Sequence, residues 1–162
     1  MTEKLTVSLF GHRTIEDAQH VEQKLYELLR IIMNRGTGEL EFLVGRNGEF
    51  DLMAASVIRR LKKEIYSDNV FLTLVMPYET AELRNNIEAF ESYYDTIEIC
   101  EACDGQNFRH AFTARNRDMV DRSDLVVVYV KNNSGGAYQT LIYAEKSEKR
   151  IINLYHTQNE EL

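Results

Sequence analysis

The stretch LVVVYVKNNSGGAYQTLIYAEK, Leu125 to Lys146, decides the fold. Its apolar residues run without alternation to Val130, which predicts a strand covered on both faces, as in a parallel sheet. A polar tip follows, carrying Lys131, Ser134, Gly135 and Gly136, and an amphipathic segment begins at once. Strand, glycine turn and helix in that order form a phosphate cradle or merely a tight corner.

The remaining chain repeats this alternation on both sides of the stretch. Upstream, Leu5 to Phe10 predicts a strand, and Ile15, Ala18, Val21, Leu25, Leu28, Leu29 and Ile32 fall on one helical stripe. ELEFLVG predicts a second strand, and Phe50, Ala54, Val57, Ile58, Leu61 and Ile65 a second helix. NVFLTLVMP predicts a third strand stopped by Pro77, which cannot donate to a ladder. Leu83, Ile87, Phe90 and Tyr94 predict a third helix, and TIEI a short fourth strand. Residues from Arg109 to Asp121 fit a helix less cleanly. Downstream, RIINLY predicts a last strand. The expected fold is α/β: a Rossmann-like, doubly wound, mainly parallel sheet of about five to six strands, with helices on both faces. One domain over residues 1–156 is expected, with 157–162 as an acidic tail.

Composition narrows the function classes. The chain has 162 residues, 44% of them apolar, and one proline, which suits a globular domain with a substantial core. A net charge of −7 argues against nucleic acid as the main partner. No apolar run approaches the ~20 residues of a bilayer span, and the N-terminus lacks a signal peptide's pattern, so no membrane role and a cytoplasmic location are expected. Cys100 and Cys103 form a single CEAC without further ligands, which reads as two reduced thiols. His20, His110 and His156 share no spacing, so neither a metal centre nor a cofactor is expected. Self-association is left open.

In an open parallel sheet, ligands sit beyond the carboxyl ends of the strands. There the sequence collects its oddities: Gly11, His12 and Arg13 after the first strand, Gly45, Arg46, Asn47 and Gly48 after the second, and Lys131 to Gly136 after the fifth. Arg115 and Arg117 reach towards the same edge from the preceding helix. Basic tips in an acidic protein point to a small anion. Taken with these neighbours, the glycine pair favours the phosphate cradle, with Ser134 as a cap of the helix that follows. His12 is read as a ligand contact. Glu49 and Asp51 lie in a first helical turn, where acids suit the dipole, and Asp51 is read chiefly in that structural role. For ribose binding or acid–base catalysis Glu49 is the first candidate and Asp51 the second. Neither a Walker lysine motif nor G-x-G-x-x-G is present, which disfavours ATPases and simple NAD enzymes.

The ordered motifs SLFGHR, LVGRNGEFD, ARNRDMVDRSDLVVVYV, GGAYQTLIYA and RIINLY resemble the SLOG superfamily, and within it the small YpsA-like branch. That superfamily also holds the DNA-processing protein A core and the Lonely Guy phosphoribohydrolases. The resemblance implies a Rossmann-like fold that binds a nucleotide or nucleotide-derived phosphorylated ligand, as a sensor or regulator, with Gly11, Arg13, Gly45, Gly135 and Gly136 lining the pocket. It implies, as the alternative, a nucleoside or nucleotide N-glycosidase or ribosyltransferase. The Lonely Guy motif P-G-G-x-G-T-x-x-E is not kept. Ser134 replaces its proline, Tyr138 its third glycine, and no acid follows in the next turn. Glu49 stands where many YpsA-like sequences have glycine, which narrows the pocket or puts a carboxylate in it. The DNA-processing branch adds a third reading, opposed by the acidic charge.

Overall fold

A computed structural model describes residues 3–36, 38–100 and 107–156. Cys103 and the expected acidic tail lie outside them; Cys100 is a buried free thiol. The strands are β1 (Lys4–Gly11), β2 (Glu39–Val44), β3 (Val70–Met76), β4 (Thr96–Ile99), β5 (Leu125–Tyr129) and β6 (Arg150–Asn153). The helices are α1 (Ala18–Arg35), α2 (Glu49–Ile65), α3 (Ala81–Asn85), α4 (Ile87–Tyr93), α5 (Phe108–Asp121) and α6 (Gly136–Lys146). All five strand pairings are parallel, in the order β4-β3-β2-β1-β5-β6. The fold is Rossmann-like α/β, as the alternation of apolar segments predicts.

Side-chain alternation along β1 shows how the layers are divided. Val7 and Leu9 point into the core shared with α1 and α2, while Phe10 joins Leu43, Val126 and Val128 against α5 and α6. A strand presents successive residues to opposite faces, so each buried strand must be apolar throughout to serve two cores. Ser8 is the polar exception on the second face: fully buried, it donates to the Met119 carbonyl at 3.0 Å and bonds the Ser123 hydroxyl. The order of strands reverses direction between β1 and β5. The two strands stay paired to Gly11 and Tyr129. The loops that follow lead to α1 on one face and α6 on the other, and so part to leave a crevice, where ligands of this class of fold bind.

Three local features differ from the periodicity. Helix α1 starts at Ala18 instead of Ile15, because Asp17 takes left-handed backbone angles (φ 54°, ψ 52°); Ile15 is still buried. The expected third helix is two, broken at Asn86, whose amide N–H bonds the Leu83 carbonyl and whose side chain donates to the Glu82 carbonyl at 2.8 Å. Helix α5 is regular, and its stripe looks poor because one inward position is the buried Arg115 beside Ala111, Met119 and Val120.

Gly11 is dictated by packing. A Cβ there would lie 2.2 Å from Cγ of Phe50, which is fully buried. Gly11→Ala is expected to destabilise the protein by about 1–3 kcal/mol through overpacking. Thermal melting checks this, and adding Phe50→Leu should recover part of the loss.

Candidate functional site

At the β1/β5 divergence lies a cleft of about 730 Å³. Its floor and one side are the loops after β1 and β2, contributing Gly11, His12, Arg13, Asn47 and Asp51. Its other walls are α5, through Phe108, Arg109, Phe112, Thr113, Arg115, Asn116 and Arg117, and the start of α6, through Gly135, Gly136, Gln139, Thr140 and Tyr143. Phe108, Phe112 and Arg115 stand at i, i+4 and i+7, as do Gly136, Thr140 and Tyr143. Each set is one face of its helix, turned to the cleft.

Four arginines and one acid set the electrostatics. Arg115 is only 4% exposed. Its Nη1 donates to the Val75 carbonyl at 3.0 Å and its Nε to Asn116 Oδ1 at 2.9 Å. Asn116 Nδ2 in turn donates to Thr140 Oγ1 at 3.1 Å, and that hydroxyl donates to the Gly136 carbonyl at 2.8 Å. A continuous polar chain thus ties the buried guanidinium to the first turn of α6. On its other side Arg115 borders Asp51: a Cβ on Gly45 would touch both, at 2.5 Å from Nη1 and 3.0 Å from Asp51 Oδ2. Asp51 Oδ2 accepts from the Asn47 amide at 2.8 Å. Withdrawal from water pushes the Asp51 carboxyl above its ordinary range; Arg115, the Asn47 amide and Arg13 oppose this without reversing it.

Aromatic rings line the outer part of α5. Tyr78, Phe108 and Phe112 form a mutual cluster with centroids 5.2–6.0 Å apart, and Phe108 is 67% exposed. The Arg115 guanidinium lies 5.3 Å from the Phe112 centroid, and that of Arg117 lies 5.0 Å from Tyr143. Rings and guanidinium planes together provide stacking surface beside positive charge.

Solved structures share this architecture. DNA processing protein A from Streptococcus pneumoniae superimposes with a TM-score of 0.67 at 16% identity, over 91% of this chain and 49% of that one. The chain has the fold of DNA processing protein A. The Helicobacter pylori protein of that name, described for its single-stranded DNA binding mode, matches with a TM-score of 0.62 at 17% identity, over 97% of this chain and 70% of that one. The chain therefore spans about half of the S. pneumoniae protein. The SLOG resemblance holds at the level of fold. No protein-family model matches the sequence, and no curated protein does. No described helix is long and apolar enough to cross a membrane.

The DNA-processing-protein-A fold corrects one expectation. Nucleic acid cannot be set aside on net charge, because a protein of this fold binds single-stranded DNA. Net charge sums the whole surface, whereas a phosphate responds to charges within a Debye length of about 10 Å. In this chain Arg13, Arg109, Arg115 and Arg117 gather at the cleft despite the acidic total.

Within this fold the expected site residues divide. Gly11, His12, Arg13, Asn47, Asp51, Arg115, Gly135 and Gly136 line the cleft. Arg46 turns to the other face, where it pairs with Glu82 at 3.0 Å and stacks over Phe90. Lys131 pairs with Glu16 at 3.0 Å. Ser134 caps nothing: the N-cap of α6 is Gly135, and no side chain bonds its first amides. Gly45 and Gly48 serve close packing, the latter because a Cβ would sit 2.5 Å from Arg13 Cα. Glu49 puts no carboxylate in the cleft. Its Oε2 accepts from the Ile15 amide at 2.6 Å and its own amide donates to the Arg13 carbonyl at 2.8 Å, bracing the β1–α1 loop. Phe108, Arg109, Phe112, Asn116, Thr140 and Tyr143 were not expected. The i, i+4, i+7 spacing on α5 and α6 was the available signal, masked by the absence of an apolar stripe.

Proposed function

We propose that the cleft binds a phosphorylated nucleotide or nucleotide derivative, with the phosphate on the first turn of α6 and the base against the rings of α5, in a sensing or regulatory role. One observation carries this reading. A Cβ on Gly136 would meet nothing within 4 Å, and its backbone is ordinary helix, so neither packing nor conformation calls for glycine there. A ligand approaching the uncapped amides would call for it. Gly135 differs, since its φ of 95° itself favours glycine. Arg13, Arg109 and Arg117, all exposed around the same cleft, supply the charge for phosphate oxygens.

Calorimetry against nucleoside monophosphates, ADP-ribose, cyclic dinucleotides and a short single-stranded oligonucleotide tests the reading, beside mass spectrometry of small molecules released on denaturation. Saturable binding of a free nucleotide supports it. Binding of the oligonucleotide alone, with strong salt dependence, would assign the cradle to a nucleic-acid backbone. Binding of none of them would remove the reading.

A second reading rests on Asp51. A carboxyl held above its ordinary range inside an arginine-lined cleft can donate a proton to a departing base while water adds to the sugar. This makes the cleft an N-glycosidase or ribosyltransferase site. Asp51→Asn should then lower release of free base by about 10²–10⁴-fold, read by chromatography. Glu49→Gln should change it little. No release from the unaltered protein would leave binding alone.

A further inference from the structure

His12 lines the cleft beside Arg13, where a histidine is readily taken for a phosphate contact. Its hydrogen bonds assign it otherwise. Nε2 lies 2.9 Å from the backbone nitrogen of Lys131 and 3.1 Å from that of Asn132. A backbone N–H can only donate, so Nε2 must present its lone pair to both, and the ring must be neutral with its proton on Nδ1. The two amides open the loop from β5 to α6. Residues 131–136 of that loop are all exposed, and no side chain caps the helix it leads into.

We propose that His12 is a positioning residue: its neutral imidazole clamps the Lys131–Asn132 backbone and so holds Gly135 and Gly136 where they meet the ligand's phosphate. This rests on the phosphate reading of the cleft. Protonating Nε2 replaces the acceptor with a third donor facing two N–H groups, so the clamp fails as a unit. Burial already holds the His12 pKa below its ordinary 6.5, as a neutral acceptor requires. The ring lies edge-on to Tyr129 of β5, at 6.2 Å. The other titratable and charged groups around it are Arg13 on its own loop, the Lys131–Glu16 ion pair, Asp17, and Tyr155 beyond Tyr129.

The sign of the pH dependence separates a clamp from a contact. A histidine that touches phosphate gains charge on acidification and tightens binding. A clamp loses its acceptor and weakens it. Asp51 and the ligand's own phosphate also titrate, so the decisive quantity is the ratio of affinities of the unaltered protein and His12→Gln. Glutamine keeps an acceptor oxygen near the Nε2 position and cannot take a proton.

The experiment has two arms. In the ligand-free protein, NMR should show His12 titrating as the Nδ1–H tautomer, with the Lys131 and Asn132 amides shifting at the same midpoint in the unaltered protein and not in His12→Gln. In calorimetry with adenosine monophosphate and ADP-ribose, affinity relative to His12→Gln should fall by about two- to tenfold per pH unit below the His12 midpoint. Amides that ignore the titration, or a ratio that rises on acidification, would overturn the assignment. If neither these probes nor the rest of the nucleotide and oligonucleotide panel bind at any pH, the phosphate reading fails by itself, and the first arm still decides whether the clamp exists.

Discussion

Gly136→Asp is expected to weaken binding of phosphorylated ligands by at least about 100-fold while leaving the protein as stable as before, or more so. The substitution places a carboxylate where a Cβ has open space, at the first residue of α6. In the ligand-free protein that charge lies at a helix N-terminus, which it favours by about 0.3–1 kcal/mol. With a phosphate at the same amides, two anions compete for one cradle within a few ångströms. A hundredfold loss corresponds to about 2.7 kcal/mol, modest for like charges at such range. Calorimetry reads the loss and thermal melting the retained fold. Gly136→Ala should fall between, adding bulk without charge. Unchanged affinity in Gly136→Asp would place the phosphate elsewhere.

Arg115→Met is expected to cost about 3–5 kcal/mol of folding stability. The side chain is buried, and its removal takes a donor from the Val75 carbonyl and from Asn116 Oδ1. It also takes the neighbouring positive charge from Asp51, which keeps only the Asn47 amide and Arg13. The loss should depend on pH with a definite sign. Asp51 already has a folded-state pKa above its reference of 3.8, and without the neighbouring guanidinium it rises further. A carboxyl whose folded pKa is raised binds its proton more tightly folded than unfolded. Its penalty is therefore absent in acid and grows as pH climbs from the unfolded towards the folded value. Urea denaturation should find the defect largest near neutrality and smaller towards about pH 4. A defect of the same size at both pH values would mean that Asp51 does not feel Arg115. Thr140→Val cuts the same chain at its far end without stranding a charge, so its effect on stability should be smaller.

These two residues show where the sequence was legible. Arg115 was assigned to the right edge of the sheet, because strand direction alone decides which loops and helix ends share it. Nothing in ARNRDMV separates a buried guanidinium from an exposed one, so the burial of Arg115 and its bonds to Val75 and Asn116 are not legible there. The same ambiguity covered Arg46 and Lys131: tip positions follow from strand order, but side-chain direction follows from partners such as Glu82 and Glu16, far away in the chain.

The apolar strands, the helical stripes between them and the glycine turn before α6 determine a parallel α/β sheet with its unusual residues at the carboxyl edge. These are local signals, and backbone geometry turns each into one element. That the crevice opens between β1 and β5 follows only from the strand order of the folded chain. Tertiary packing alone decided which glycines are spent on Phe50, Arg115 and Arg13 and which have open space, at Gly135 and Gly136. It also decided that His12 faces two amides and that Glu49 faces Ile15. Such roles depend on atoms brought within about 3 Å from distant parts of the chain, and no spacing along one segment encodes that distance.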